Sequence, residues 1–199
     1  MNDKQILCEI FALQLTDEAS SKELARRMGD RPRNVAGHLS SMKAKGLVEG
    51  RTSRPKLTAK GRRKIKVVFM GGSFEIIHTG HLYTIAQAKK LGDVLVVVVA
   101  RDSTIIKRKG REPISSEQDR LALLTSLRAV DAAILGVEGN IYDSLERVKP
   151  DVVALGYDQY HAEADIAREA WRRGMHLKVV RLGALSPGVK TSKILAEFA

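Results

Sequence analysis

The sequence predicts an α/β fold: a parallel sheet with helices on both faces over residues 64–199, preceded by a small, mainly helical domain over residues 1–63. Three observations lead there. Past residue 64, short apolar runs rich in β-branched residues alternate with segments of helical periodicity. That order is the mark of repeated strand–helix–strand units, which close into a parallel sheet. Val94–Ala100 is an unbroken apolar run, as in a strand covered on both faces. Residues 1–63 carry 14 Lys/Arg against 7 Asp/Glu, so most of the net charge of +11 sits in the first third of the chain.

Ile6, Leu7, Ile10, Phe11 and Leu13 recur at helical spacing. Ser20 with Glu23 three residues on opens a second helix as a capping box; it carries Leu24 and Met28 and ends at Gly29. Pro32 suits the first turn of a third helix, which turns Val35, Leu39 and Met42 inward and stops at Gly46. Two short strands, residues 47–50 and 56–58, follow around the basic loop Arg51–Pro55. Three helices and a hairpin are the order of a winged helix-turn-helix, and residues 57–62 look like the closing segment of many winged-helix regulators. In such a module Arg31, Arg33, Asn34, His38, Ser41 and Lys45 lie on or near the recognition helix and Arg51 and Arg54 on the wing. DNA is the expected partner of this basic surface. The same module also serves for docking on a protein or for pairing, and analogy points to a homodimer.

The boundary is expected near Gly61–Lys64, with a short linker. Strands are expected at Ile65–Met70, Val94–Ala100, Ala132–Leu135, Val152–Leu155 and Leu177–Arg181. Helices are expected at Leu82–Leu91, Ser115–Arg128, Ile141–Val148, Ala162–Arg173 and Thr191–Phe198. Gly92, Gly156 and Gly174 and Pro150 supply the stops. Residues 107–111 read as a basic loop. The longest apolar run is far too short for a bilayer, and the first residues lack the pattern of a secretory signal, so the expected compartment is the cytoplasm. The single cysteine, Cys8, leaves no intrachain disulfide and reads as a helix core residue.

The chemistry concentrates in residues 69–81, Phe-Met-Gly-Gly-Ser-Phe-Glu-Ile-Ile-His-Thr-Gly-His. A strand runs into two glycines, then into two histidines flanking Thr79-Gly80 at a helix start. Gly71 and Gly72 let backbone amides approach phosphate without Cβ interference. The helix turns its positive end to the same place. His78 and His81, three apart, can face one ligand and donate to phosphate oxygens. This suits attack on a nucleoside triphosphate, where positioning and fixed positive charge do most of the work. In an α/β sheet such a site belongs at the carboxyl ends of the strands.

The His78-Thr79-Gly80-His81 segment resembles the H-x-G-H signature of the nucleotidyltransferases, in their cytidylyltransferase-like branch, and the resemblance extends over most of residues 65–194. It implies a Rossmann-like parallel sheet. It gives both histidines the phosphate role, with Gly71, Gly72, Ser73, Phe74, Thr79 and Gly80 shaping the nucleotide pocket. It places Arg120 and a lysine of the preceding basic loop, best matched by Lys107, on the triphosphate, and Asp158 near the nucleotide. Relatives also carry a basic residue where Arg181 ends the fifth strand. Thr191-Ser192-Lys193 resembles the second signature, which supports the β- and γ-phosphates, although its terminal arginine is missing. Glu75 stands where relatives usually have aspartate.

Segments 100–104, 111–114, 117–121, 131–136 and 154–159 look more like the archaeal-type FAD synthases than like glycerol-3-phosphate cytidylyltransferase. The resemblance then implies ATP as donor, FMN as acceptor, and Mg²⁺ or another divalent cation carried with the triphosphate, since there is no dense carboxylate cage for a protein-held metal. Two other readings stay open: a CTP-dependent enzyme acting on glycerol phosphate or another phosphorylated acceptor, and a transcription regulator whose α/β domain senses a nucleotide or flavin.

Overall fold

The structure is a computed structural model that describes residues 2–183. The chain divides into two compact units, Met1–Lys66 and Val67–Ala199.

In the first unit, α1 (Asp3–Leu15), α2 (Ser21–Met28) and α3 (Pro32–Ala44) precede an antiparallel hairpin of β1 (Val48–Arg51) and β2 (Arg54–Leu57) and a short α4 (Ala59–Arg62). Local chemistry accounts for the breaks. The Ser20 hydroxyl accepts from Glu23 N at 3.1 Å, and Gly29 closes α2 in the left-handed region at φ 62°. Pro32 opens α3. The core joins Ile6, Leu7, Ile10, Leu13, Leu24, Val35, Leu39 and Met42, all buried.

The second unit holds one five-stranded parallel sheet of β3 (Val67–Gly72), β4 (Val94–Val99), β5 (Ala132–Leu135), β6 (Val152–Leu155) and β7 (Lys178–Arg181). The strand order is β5-β4-β3-β6-β7. The helices are α5 (Thr79–Lys89), α6 (Asp102–Lys109), α7 (Glu117–Thr125), α8 (Ile141–Val148) and α9 (Glu163–Arg172). Every residue of β4 is buried, which is why its run of valines shows no alternation. Two aspartates anchor strand starts. The Asp151 carboxylate accepts from Val67 N, and that of Asp131 from Leu95 N, each at 2.6 Å.

Several boundaries shift by one to three residues, and two of the differences have a visible cause. The first strand begins at Val67 rather than Ile65, because the Ile65 carbonyl accepts from Arg62 Nη1 at 3.0 Å and its amide donates back to Arg62 O. Residues 102–109 form α6 where the sequence reads in part as a basic loop. The Thr104-Ile105-Ile106 run is a poor helix former, but burial of Ile105 and a closing Gly110 at φ 67° secure it. The expected Thr191–Phe198 helix lies outside the described residues. No helix among the described residues is long and apolar enough to cross a membrane.

Candidate active site

The chain runs from β3 outward through β4 to β5, then returns to place β6 on the other side of β3. Strand order therefore reverses between β3 and β6, and a crevice opens at their carboxyl ends. A cleft of about 690 Å³ lies there, within the size range of small-molecule sites. Its walls include Gly71–Glu75 at the end of β3, Arg101, Arg108 and Lys109 after β4, Gly136, Val137 and Gly139–Tyr142 after β5 and Gly156–His161 after β6.

The glycine turn has a steric cause. Phe74 adopts φ 54°, the left-handed region that non-glycine residues avoid. Its buried ring folds back over Gly72, where an added Cβ would stand 2.8 Å from two ring carbons. Strain of this kind persists where the surroundings over-determine it, and it clusters at functional sites. The same ring lies 5.6 Å from that of His81, and the rings of His78 and His81 are 4.0 Å apart.

His78 is the N-cap of α5 but its side chain makes no capping bond, so the amide end of the helix stays available to an anion. Both Nδ1 atoms are buried without a hydrogen-bond partner. Orphaned buried polar atoms are costly and few in native proteins. Burial pushes His81 down to about 4, helped by His78 beside it and opposed by Asp158. Burial also lowers His78, again against Asp158. Both imidazoles are therefore neutral at pH 7 in the free protein, and anionic phosphate oxygens would draw them toward the charged form.

Of the expected site residues, Gly71, Gly72, Ser73, Phe74, His78, Gly80, His81 and Asp158 line this one cleft. Thr79 is exposed and outside the lining. Thr191, Ser192 and Lys193 lie outside the described residues.

Three expected residues do not line the cleft among the described residues. Arg120 is only 2% exposed and is committed to protein groups. Its Nε donates to Ser115 O (3.1 Å), its Nη1 to Ser73 O (2.6 Å) and Ala100 O (2.9 Å), and its Nη2 to Asp102 Oδ1 (2.5 Å). It ties the turn after β3 to the end of β4 instead of lining the cleft. Arg181 does the same for the loop after β6, donating to Gly156 O, Gln159 O, His161 O and the Glu163 carboxylate. Lys107 is exposed and off the cleft, while its helical neighbours Arg108 and Lys109 line it.

Other contributors were given no site role by the sequence. Gln159 Nε2 donates to Gly71 O at 2.6 Å while its Oε1 accepts from Gly156 N at 3.2 Å, which bridges the ends of β3 and β6. The Glu75 side chain is fully buried and paired with Lys109 and with Arg111 (2.8 Å). Burial alone would raise its carboxyl, but hydrogen bonds from Lys109 and Arg111 outweigh that and hold it below the usual range. Arg101 donates to Glu117 (2.6 Å) and to Gly136 O (2.9 Å), which holds the ends of β4 and β5 together.

Comparison with known proteins agrees with this architecture. Residues 69–194 match the cytidylyltransferase-like family. A FAD synthase of Pyrococcus horikoshii is 46% identical over 139 residues, covering 68% of this chain and 93% of its own. One of Thermoplasma volcanium is 47% identical over 135 residues, covering 66% and 94%. Among solved structures, a Thermoplasma volcanium protein described as a lipopolysaccharide core biosynthesis protein superposes with a TM-score of 0.59 at 44% identity. That superposition covers 61% of this chain and 99% of the other. The motif at the reversal of strand order and this degree of identity agree: the chain is a nucleotidyltransferase of the cytidylyltransferase-like family and belongs to its FAD synthases.

Proposed function

We propose that the cleft binds ATP and FMN and joins them as FAD with release of pyrophosphate. An oxygen of the FMN phosphate attacks the α-phosphorus of ATP in line. A new P–O bond forms, the bond to the β-phosphate oxygen breaks, and its electron pair leaves with pyrophosphate. The attacking phosphate is already anionic, so no strong general base is required. The observation that carries this reading is the His78–His81 pair at the open amide end of α5, beside the Gly71-Gly72 turn.

In this reading the two imidazoles and the first-turn amides of α5 donate to the phosphate oxygens on which charge builds. Arg120 and Gln159 act at one remove by fixing the turn that carries Ser73 and Gly71. Among the described residues the cleft holds two carboxylates, Glu75 and Asp158. Glu75 is taken up by Lys109 and Arg111, and no group of three His, Cys, Asp or Glu suited to a metal occurs among the described residues. That donor set fits a divalent ion held mainly by triphosphate oxygens. Such an ion would supply neutralisation of the triphosphate charge.

The test is incubation of the pure protein with FMN, Mg²⁺ and either ATP or CTP, with products separated by chromatography. FAD from ATP is expected. Pyrophosphate release with CTP and glycerol phosphate, and none with FMN, would move the protein to the alternative acceptor class.

A second proposal concerns Met1–Lys66. Its helices and hairpin form, in our reading, a winged helix-turn-helix that binds DNA. Arg31 at the N-cap of α3 and Arg33, Asn34 and Ser41 on it are exposed, as are Arg51 and Arg54 on the hairpin. Lys45 is engaged by Asp3 at 2.8 Å and His38 is half-buried, so both are weaker candidates. Anisotropy of labelled duplex DNA should rise with the full-length protein at low salt. Replacing Arg31 and Arg33 together should flatten the log–log salt slope by about 2. No binding at low salt, with or without nucleotide, would dispose of this proposal.

A further inference from the structure

The cleft contains aromatic rings that differ in how firmly their faces are covered. The Phe74 ring is buried against Gly72. Arg173 lies over Tyr142 at 5.2 Å and is itself held by Glu169, Asp143 and Glu146. Tyr160 is different. It is 65% exposed, and the Arg108 guanidinium carbon stands only 4.0 Å from its ring centroid. Beyond that stack, Arg108 makes no hydrogen bond or ion pair among the described residues.

The ring is anchored and its cover is not. Arg181 holds the backbone on both sides of Tyr160, through Gln159 O at 2.9 Å and His161 O at 2.5 Å. The His161 ring lies 3.9 Å from it and helps to hold its orientation. Arg108 instead ends a four-bond side chain on α6. Its helix follows β4 and the tyrosine follows β6, so the two come from opposite sides of β3. A flat cation thus covers a flat ring beside the proposed site of phosphate transfer.

We infer that Tyr160 is the stacking platform for the isoalloxazine ring of FMN, and that Arg108 leaves its face to meet the anionic phosphate as the ring enters. The inference rests on the FAD synthase reading of this cleft. Oxidised isoalloxazine is electron-poor, and its natural partner is the electron-rich phenol face that a guanidinium also selects. The incoming acceptor gives Arg108 a bidentate phosphate partner in exchange for the stack. Adenine recognition asks for hydrogen bonds along the ring edge, whereas the Tyr160 side chain offers a ring face with a cation on it.

The experiment is titration of FMN, read by quenching of flavin fluorescence, against wild type, Tyr160→Ala and Tyr160→Phe, with ATP binding measured separately by calorimetry. Loss of one aromatic stack predicts an FMN Kd raised about tenfold in Tyr160→Ala, with the amplitude of quenching at saturation reduced. Tyr160→Phe keeps the FMN Kd within about twofold of wild type, since the ring and not the hydroxyl is used. The ATP Kd is expected to stay within about twofold in both. Unchanged FMN binding in a folded Tyr160→Ala overturns the inference, and so does a loss confined to ATP, which would make adenine the stacked ring. The same wild-type preparation is assayed for FAD. If it makes FAD while Tyr160→Ala binds FMN normally, only the platform falls. If wild type neither binds FMN nor makes FAD, the proposed function falls and the platform with it.

Discussion

Replacing Arg120 by alanine separates two roles that the sequence alone confuses. A guanidinium addressing the triphosphate costs affinity and rate when removed, and little stability. The geometry says the reverse. The side chain gives four hydrogen bonds, three to backbone carbonyls and one to Asp102, which is one-third exposed. Each buried acceptor left without a donor costs about 1–3 kcal/mol, the lower figure where water refills the space. The Asp102 pair, partly in solvent, adds about 1 kcal/mol rather than the 3–5 of a fully buried pair. The total is about 4 kcal/mol, a large share of a domain's stability. With an m-value of about 2 kcal/mol/M, the urea midpoint should fall by about 2 M. Trp171, the only tryptophan, lies in the Val67–Ala199 unit, so its fluorescence reports that unit. The ATP KM, measured where the variant is still folded, should change far less than the midpoint. An unmoved urea midpoint with an ATP KM raised fiftyfold would refute the reasoning and put Arg120 on the triphosphate.

Four further outcomes follow from the site. His81→Ala should lower kcat by about 10²–10³, the loss typical of one transition-state donor, with little change in thermal midpoint, since the buried Nδ1 has no partner to lose; equal losses of stability and rate would make the residue structural. Between the unfolded value of 6.5 and the folded value of about 4 for His81, the unfolded chain holds a proton that the folded one does not, so stability should fall as pH drops through that window, and less so in His81→Gln. In the same window ATP binding should take up protons, seen by calorimetry in buffers of different ionisation enthalpy; binding without uptake would remove the histidines from the phosphates. Gly72→Ala places a methyl 2.8 Å from the Phe74 ring and should cost about 1–3 kcal/mol together with most of the activity; a variant as active as wild type would show the turn to be tolerant.

What could be read from the sequence was local. The valines of β4 announce a strand buried on both faces. Ser20 marks a helix start that its side chain does cap. The histidine pair declares itself because a strand, a glycine turn and a helix start are contiguous in the chain. Even α6 was lost at this level, since its β-branched residues argue against a helix and only the burial of Ile105 decides for one.

Tertiary structure decided where the long side chains go. Arginine reaches several ångströms and carries five donors, so its sequence neighbours do not choose its partners. Arg120 finds carbonyls 20 and 47 residues away, and Arg181 holds the loop of a neighbouring strand. On α6, a step of one residue turns the side chain by about 100°. That rotation puts Arg108 on the cleft and Lys107 off it. The meeting of Arg108 with Tyr160, and of Gln159 with Gly71, depends on strand order, because β4 and β6 flank β3 only after the sheet reverses direction. The chain's own order fixes the reaction class through a contiguous motif. The packing of distant loops fixes which charged and aromatic groups the cleft presents to its ligands.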